Sequence, residues 1–307
     1  MKKLSQMEQK FKDYLDQNNI IPFSAITEIE LEKETKLFQE WAGEVVVPFE
    51  ELSIKVRDGF KIRVRVFNPN ALGDTFFYLP GNGYCIARLF EPNTAIAARI
   101  AKASQQRVVL IDFRLMPAYP WPTLIRDVQD VINACVHDHV ISGVNPSEII
   151  LGGYSGGAHA SVILALDQQR GFEIKKLVLL SGWYDLTLSQ TAFVADEALD
   201  YICKRENLHN LVDAWKLTNA NLHCPSYSPL FSSSFKQFPK TTIIVGEFDG
   251  IRGDSEALYL KLRDQGVSVT KIVLPGQTHN NIEFYKACSD ENDAALACAN
   301  VLCEESI

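Results

Sequence analysis

The chain has 307 residues, of which 47% are hydrophobic and 22% are charged, a composition typical of a folded protein with a sizeable core. Its formal net charge of -8 offers no basic surface to nucleic acid or anionic lipid, which excludes nucleic acid as an expected partner. Residues 1–17 lack the apolar stretch of a signal peptide, and no window approaches the roughly 20 apolar residues of a membrane span, so we expect a cytoplasmic protein without a transmembrane segment.

The N-terminal region is predicted to be helical. Phe11, Tyr14 and Leu15 share one helical stripe, and residues 26–41, rich in Glu, Lys and Leu, follow after a proline break. We expect these helices, within residues 1–44, to form a lid.

Strands and helices alternate through the rest of the chain. Two alternating runs joined at Asp58-Gly59 predict an antiparallel hairpin at the start of the sheet. The apolar strands and helices that follow predict a mostly parallel sheet with helices on both faces. The predicted strands are Leu52–Arg57, Lys61–Phe67, Thr75–Leu79, Arg107–Asp112, Glu148–Leu151, Lys176–Leu180, Thr241–Val245 and Ser268–Leu274, and the predicted helices are Thr94–Ala103, Thr123–Val136, Ala158–Gln168, Ser255–Arg263 and Ile282–Val301.

The alternation fails between residues 183 and 230, where aromatic and polar residues mix without a clear strand. We interpret this stretch as an insertion, and we expect one domain over residues 1–307 whose cap consists of about 1–44 and 183–230. The seven cysteines are scattered and include no close pair of the zinc-binding kind, so we expect free thiols, no metal and no cofactor.

The sharpest motif is Gly153-Tyr154-Ser155-Gly156-Gly157, which stands between a predicted strand and a predicted helix. It fits the Gly-x-Ser-x-Gly nucleophile elbow, in which a strained turn exposes the serine hydroxyl and the glycines let strand and helix approach closely. The motif therefore predicts a nucleophilic serine at position 155.

This glycine-rich turn allows two other interpretations. Gly152 and Gly157 have the separation of a phosphate-binding loop, but Ala158 and His159 stand where that loop needs a lysine and a hydroxyl residue. An ordinary glycine-rich turn stays open on the elbow alone, so the partner residues must decide.

An acid and a histidine follow the serine in the order that this fold requires. Asp249 comes after the strand Thr241–Val245, and His279 comes after the strand that ends at Leu274. We predict that His279 takes the proton of the serine and that Asp249 holds the imidazole in one tautomer. Glu247 is the alternative acid, which we predict to point away from the imidazole.

The developing oxyanion needs N–H donors from the residue after the nucleophile and from a loop after an early strand. Gly156 is the first candidate. The second source is the glycine-rich loop of residues 79–84, directly after the strand Thr75–Leu79.

Four motifs follow one another along the chain: Pro80-Gly81-Asn82-Gly83, Asp112-Phe113-Arg114-Leu115-Met116-Pro117-Ala118 with Trp121-Pro122 and Asp127 behind it, the elbow at 153–157, and Asp249-Gly250-Ile251-Arg252. They are similar to the His-Gly-Gly-Gly, Asp-Tyr-Arg-Leu-Ala-Pro-Glu, Gly-Asp-Ser-Ala-Gly and Asp-Pro-Leu-Arg motifs of the hormone-sensitive-lipase-like family of α/β hydrolases, which includes bacterial carboxylesterases. The resemblance runs from Phe76 to the last helix.

The resemblance implies an α/β-hydrolase fold and a serine carboxylesterase that cleaves small acyl esters through an acyl-enzyme. It assigns the oxyanion donors of the early loop to Asn82 and Gly83. Related enzymes often carry cis prolines in the second motif, so we expect a cis bond at Met116-Pro117 or Trp121-Pro122.

Four of the departures from the family motifs matter for the site. Pro80 and Asn82 replace a histidine and a glycine of the first motif, Tyr154 replaces the aspartate before the nucleophile, and Ala118 replaces the last glutamate of the second motif. These changes bear on substrate and rate more than on the reaction class.

Tyr84, Tyr154 and Trp183 are our candidates for substrate contacts. An amidase or formamidase on the same triad remains an alternative, because both activities need the same residues. A ligand-binding receptor on the same fold is disfavoured by the presence of His279, and the oligomeric state stays open. The aromatic residues of the lid and cap either line an acyl pocket or pack in the core: Phe38, Trp41, Trp183, Tyr184, Phe193 and Trp215.

Overall fold

A computed structural model describes residues 4–18, 36–37, 40–86, 89–189, 200, 203–217, 220–283 and 293–304. Three residues discussed above, Phe38, Phe193 and Cys288, lie outside the described residues, as does most of the helix expected over 26–41. The six cysteines within the described part of the chain are free thiols, in agreement with the expectation.

An eight-stranded sheet organises the chain. Its strand order is β1-β2-β4-β3-β5-β6-β7-β8; the β1–β2 and β2–β4 pairs are antiparallel and all other neighbours are parallel. The strands are β1 Phe49–Lys55, β2 Lys61–Phe67, β3 Thr75–Leu79, β4 Arg107–Asp112, β5 Ile149–Tyr154, β6 Lys176–Leu180, β7 Lys240–Gly246 and β8 Val269–Leu274. The mostly parallel sheet with an N-terminal antiparallel hairpin is thus confirmed.

Helices cover both faces of the sheet. In the described residues they are α1 Gln6–Gln17, α2 Phe90–Ser104, α3 Thr123–His137, α4 Gly156–Leu166, α5 Arg205–Ala214, α6 Arg252–Asp264 and α7 Ala294–Cys303, with short 3₁₀ turns at Pro229–Phe231 and Asn281–Glu283. None of these helices is long and apolar enough to cross a membrane.

Alternate strand residues feed two separate cores, because successive side chains of a strand point to opposite faces. Phe77 and Leu79 of β3 pack with α3, α4 and α6, whereas Phe76 and Tyr78 pack with α2 and α7. Phe11 of α1 joins the first core.

Two details differ from the expectation. The C-terminal helix was expected from Ile282, but Ile282 lies in a 3₁₀ turn and α7 begins only at Ala294. The cause lies at Asp293, whose carboxylate accepts a hydrogen bond from the backbone N–H of Ala295 and caps the helix there. In the hairpin, Asp58 and Gly59 lie in a longer turn than a two-residue loop, between strand ends that pair Lys55 with Lys61.

Both proline bonds named from the sequence are cis, at Met116-Pro117 and at Trp121-Pro122. The neighbouring Arg114 forms a bidentate ion pair with the fully buried carboxylate of Asp127, at 2.6 Å between Nη2 and Oδ1. This pair joins the second motif to α3.

Candidate active site

Ser155 occupies a strained turn between β5 and α4. Its backbone has φ 54° and ψ -117°, a conformation that L-residues rarely adopt. A Cβ added at Gly153 or Gly157 would lie 2.3 Å or 2.1 Å from the carbonyl oxygen of Leu79. The two glycines therefore let the elbow lie directly against the end of β3, as the motif predicts.

The hydroxyl of Ser155 begins a chain of hydrogen bonds. Ser155 Oγ lies 3.0 Å from Nε2 of His279, and Nδ1 of the same imidazole lies 3.0 Å from Oδ1 of Asp249. His279 and Asp249 are buried, with exposed fractions of 3% and 1%. The three residues named from the sequence thus lie in the geometry that nucleophilic catalysis requires.

The pKa of His279 lies above its ordinary value. Burial lowers this pKa, but the nearby carboxylates of Asp249, Asp200 and Glu283 outweigh burial by favouring the imidazolium. An imidazole whose charged form is stabilised is suited to hold the proton that the serine gives up.

Asp249, rather than Glu247, contacts the imidazole. The carboxylate of Glu247 accepts a hydrogen bond from the backbone N–H of Gly276, at 3.0 Å. The prediction that Glu247 is not the partner of His279 Nδ1 is confirmed.

The loop after β3 lies beside the serine. Positive φ angles occur in it at Gly83 and Tyr84, at 52° and 59°, and not at Asn82. The side chain of Asn82 instead accepts a hydrogen bond from the backbone N–H of Tyr84 at 3.0 Å, which stabilises the turn. The indole N–H of Trp215, at the end of α5, donates to the carbonyl oxygen of Gly83 at 2.7 Å.

Tyr84 supports this loop from behind. Its hydroxyl lies 2.6 Å from both the carbonyl oxygen of Gly156 and Nδ1 of His159, and its side chain is 1% exposed. Tyr84 does not belong to the cavity lining, so its expected substrate contact has no support here, and its contacts tie the early loop to α4.

A small cavity of about 40 Å³ opens at Ser155. Two of the expected substrate contacts, Tyr154 and Trp183, line it, and so do Asn82 and Gly83. The remaining wall combines apolar side chains with four polar ones; these residues are Gly81, Ile86, Leu89, Cys203, Asn207, Leu208, Leu211, His279, Asn280 and Glu283.

Glu283 is the carboxyl group of that wall, and the sequence did not single it out. It is 1% exposed, accepts a hydrogen bond from the side-chain N–H of Asn280, and lies 3.4 Å from the hydroxyl of Tyr154. Burial raises its pKa from 4.5 to about 7, although the Asn280 and Tyr154 hydrogen bonds and nearby His279 lower it.

Two further buried carboxylates hold the loop of His279. Glu8 of α1 accepts hydrogen bonds from the backbone N–H and the hydroxyl of Thr278, both at 2.8 Å. Asp200 accepts from the backbone N–H groups of Gly250 at 2.8 Å and His279 at 3.3 Å. Neither residue lies in a recognisable motif, so local sequence carries no signal for these contacts.

The comparisons with known proteins agree with this geometry. The sequence profile of the alpha/beta hydrolase fold family matches residues 76–283. An esterase of Acinetobacter venetianus is 27% identical over 223 residues, 72% of this chain and 71% of that protein. An ethyl acetate hydrolase of Pseudomonas putida is 25% identical over 238 residues, 75% of this chain and 74% of that protein.

A solved structure extends the likeness over the chain. The hyperthermophilic esterase of the archaeon Pyrobaculum calidifontis superposes with a TM-score of 0.85 at 22% identity, covering 100% of this chain and 99% of that chain. At this identity the likeness concerns the fold. The profile match spans more than half of the 307 residues. The chain therefore belongs to the alpha/beta hydrolase fold family.

Proposed function

We propose that the protein is a carboxylesterase-type hydrolase that uses Ser155 as nucleophile, His279 as general base and acid, and Asp249 as the partner that orients the imidazole. The observation that carries this proposal is the pair of 3.0 Å contacts on opposite sides of one imidazole, to Ser155 Oγ and to Asp249 Oδ1. The esterases among the relatives support the same reaction.

The reaction follows from these contacts. Ser155 Oγ attacks the ester carbonyl while its proton passes to Nε2 of His279. The imidazolium then protonates the leaving alcohol, and an acyl-enzyme remains. Water, deprotonated by His279, attacks the acyl-enzyme and releases the carboxylic acid and the serine.

We infer that the backbone N–H groups of Asn82, Gly83 and Gly156 stabilise the oxyanion of each tetrahedral intermediate. Asn82 and Gly83 line the cavity at Ser155, and Gly156 opens helix α4, whose N-terminus favours negative charge. One such donor is worth roughly 3 kcal/mol of the barrier.

The substrates are small acyl esters. The cavity that the described residues enclose at Ser155 is small, about 40 Å³, which supports this substrate size. Leu208 and Leu211 of α5 line it, which supports the assignment of 183–230 to a cap, whereas the share of 1–44 in the cap stays a prediction. The cytoplasmic location stays a prediction from the sequence.

The substitution Ser155→Ala tests this function. Hydrolysis of p-nitrophenyl acetate should fall at least about 10⁴-fold, because the nucleophile is lost, while the thermal unfolding midpoint changes little. Ser161→Ala is the matched control: Ser161 lies on α4, the helix that Ser155 precedes, and its hydroxyl donates to the carbonyl oxygen of Gly157. Near-wild-type turnover by Ser155→Ala, or an equal loss in Ser161→Ala, would contradict the proposal.

A further inference from the structure

The wall of the cavity carries a pair of hydrogen-bond acceptors that the proposed chemistry does not use. They belong to Asn280 and Glu283, which lie one and four residues after His279 and are 5% and 1% exposed. Apolar side chains such as Leu208 and Trp183 form much of the remaining lining. A carboxyl group in such a wall calls for a physical explanation, because buried Glu residues are rare unless they are paired.

Neither acceptor is satisfied within the described residues. Oδ1 of Asn280 is buried there without a hydrogen-bond partner. Oε2 of Glu283 accepts from Asn280 and lies 3.4 Å from the hydroxyl of Tyr154. Within the described residues, no hydrogen bond reaches Oε1 and no Lys or Arg forms an ion pair with this carboxylate. Asn280 Oδ1 is therefore a buried oxygen without a donor, and Oε1 of Glu283 is free to accept a hydrogen bond.

These acceptors are tethered to the reacting residues. The hydroxyl of Tyr154, the residue before Ser155, donates to the carbonyl oxygen of His279 at 3.2 Å and lies 3.4 Å from Oε2 of Glu283. The ring of Tyr154 also packs 5.2 Å from the imidazole, measured between centroids. A group bound by Glu283 would consequently belong to the same small molecule whose ester carbonyl lies at Ser155.

We propose that Glu283 and Asn280 form a subsite for a protonated amine on the ester substrate. The inference rests on the proposed esterase function and names its substrate class: short esters that carry a primary ammonium group near the carbonyl. An ammonium has three N–H donors and a positive charge, so it can donate to more than one acceptor and pair with the carboxylate. A hydroxyl has one hydrogen and would leave one of the two oxygens without a donor.

The electrostatics of the site favour the same ligand. The carboxylates of Asp200, Asp249 and Glu283 all act on His279 and raise its pKa, so the potential around the cavity is negative. Burial raises the pKa of Glu283 to about 7. A bound cation would favour the ionised form of Glu283 and recover part of the desolvation cost of that form.

Matched esters of nearly equal size test the subsite. We would measure kcat/KM for ethyl glycinate, ethyl glycolate and ethyl propanoate. A second pair, ethyl β-alaninate and ethyl butanoate, allows for a longer distance between the ammonium group and the ester carbonyl. Each value is divided by the rate of hydroxide-catalysed hydrolysis, because an ammonium substituent activates the ester by itself. After this correction, one of the ammonium esters should exceed its alkyl partner by at least about tenfold.

The substitution Glu283→Gln separates the carboxylate from the shape of the site. The corrected ammonium-to-alkyl ratio should fall about tenfold or more, since the amide has nearly the same size but no charge. Glu206→Gln, on the exposed face of α5, removes a carboxylate outside the cavity and should leave the ratio unchanged. If Glu283→Gln fails to fold, competition in the wild type replaces it: ethylammonium chloride should inhibit hydrolysis of p-nitrophenyl acetate more strongly than ethanol does.

The outcomes distinguish failure of the amine subsite from failure of the esterase function. Cleavage of the alkyl esters without any preference for an ammonium ester, or a preference for the glycolate, overturns the amine subsite and leaves the esterase function intact. A ratio that survives Glu283→Gln, or equal inhibition by ethylammonium and ethanol, also overturns it. Failure to cleave any ester, p-nitrophenyl acetate included, contradicts the esterase function itself.

Discussion

Within the described residues, the imidazole of His279 forms a hydrogen bond with the carboxylate of Asp249, and this contact sets its tautomer. With Asp249 at Nδ1, the ring carries its hydrogen on Nδ1 and presents the lone pair of Nε2 to Ser155. Asp249→Asn offers an amide that can donate instead of accept, which favours the wrong tautomer. We expect kcat for p-nitrophenyl acetate to fall about 10⁴-fold with little change in the thermal unfolding midpoint.

Glu247→Gln is the control for that substitution. It removes the alternative acid two residues away, whose carboxylate accepts from the backbone of Gly276. Turnover should stay within about tenfold of the wild type, because the amide oxygen can keep accepting this bond. A loss in Glu247→Gln as large as that in Asp249→Asn would show that the acid has been misassigned.

The sequence predicts residues of the site only where a motif marks them. Ser155, Asp249 and His279 follow from the elbow and from their order after late strands. Glu8 and Asp200 reach the His279 loop from segments about 270 and 80 residues away, so no local pattern announces them.

At the scale of elements, a hydrogen bond couples the end of helix α5 to the loop of residues 79–84. The indole N–H of Trp215 donates to the carbonyl oxygen of Gly83, and Leu211 lies close enough that a Cβ on Gly83 would meet its Cδ2 at 3.0 Å. Trp215→Phe keeps an aromatic ring but removes the donor. Since an unpaired buried carbonyl costs roughly 1–3 kcal/mol, we expect the loop to shift and kcat to fall about tenfold, with a smaller change in KM.

The matched variant is Trp41→Phe. The indole nitrogen of Trp41 is buried without a hydrogen-bond partner in the described residues, and its ring packs on Phe11 and Tyr14. Trp41→Phe therefore removes the same atoms as Trp215→Phe without breaking an indole hydrogen bond within the described residues. Steady-state kinetics that show equal effects of both substitutions would rule out a specific role of the Trp215 hydrogen bond.

Helix α1 is coupled to the loop of His279 through Glu8. Its Oε1 accepts both hydrogen bonds from Thr278, and Ser5 donates its backbone N–H to the carbonyl oxygen of Gly276 at 2.8 Å. Glu8→Gln keeps an acceptor oxygen of the same reach, whereas Glu8→Leu leaves two buried donors unpaired. We therefore expect Glu8→Leu to lower kcat about tenfold and to reduce the thermal unfolding midpoint, and Glu8→Gln to retain most of both. Equal kinetics for the two variants would contradict this coupling.

Element boundaries were predictable for strands with a clear apolar run, but not where a helix cap sets the boundary. The strands Thr75–Leu79, Arg107–Asp112 and Lys176–Leu180 have the bounds expected from their apolar runs. The C-terminal helix does not, because apolar residues continue upstream of Ala294 while the cap at Asp293 decides where the helix begins. A capping aspartate among several acidic residues is hard to select from the sequence alone.

For the whole molecule, alternation of strands and helices was sufficient to predict a mostly parallel sheet with an antiparallel start, because chain connectivity and handedness leave few arrangements. The cavity could not be predicted in the same way. Its lining draws on the loop after β3, on α5 and on the segment after His279, so its volume and its polar wall depend on contacts between segments far apart in the chain.

Ionisation of Glu283 in the cavity wall affects the free energy of unfolding of the whole chain. The pKa of Glu283 is raised from its ordinary value of 4.5 to about 7 in the folded protein. The stability that this raised pKa contributes is therefore fully present below pH 4.5 and is lost as the pH rises through 7. The ionised carboxylate then costs the folded state about 3 kcal/mol, a cost that Glu283→Gln removes.

The difference in thermal unfolding midpoint between Glu283→Gln and the wild type should therefore grow in favour of the variant between pH 5 and pH 8, by several degrees. Glu206→Gln, at an exposed position of α5, should show no such growth. Calorimetric scans with an equal difference at both pH values would mean that Glu283 titrates normally. A growing difference would mean that the native chain keeps, in the wall of its cavity, a carboxylate that weakens the fold near neutral pH, as expected of a residue retained for binding.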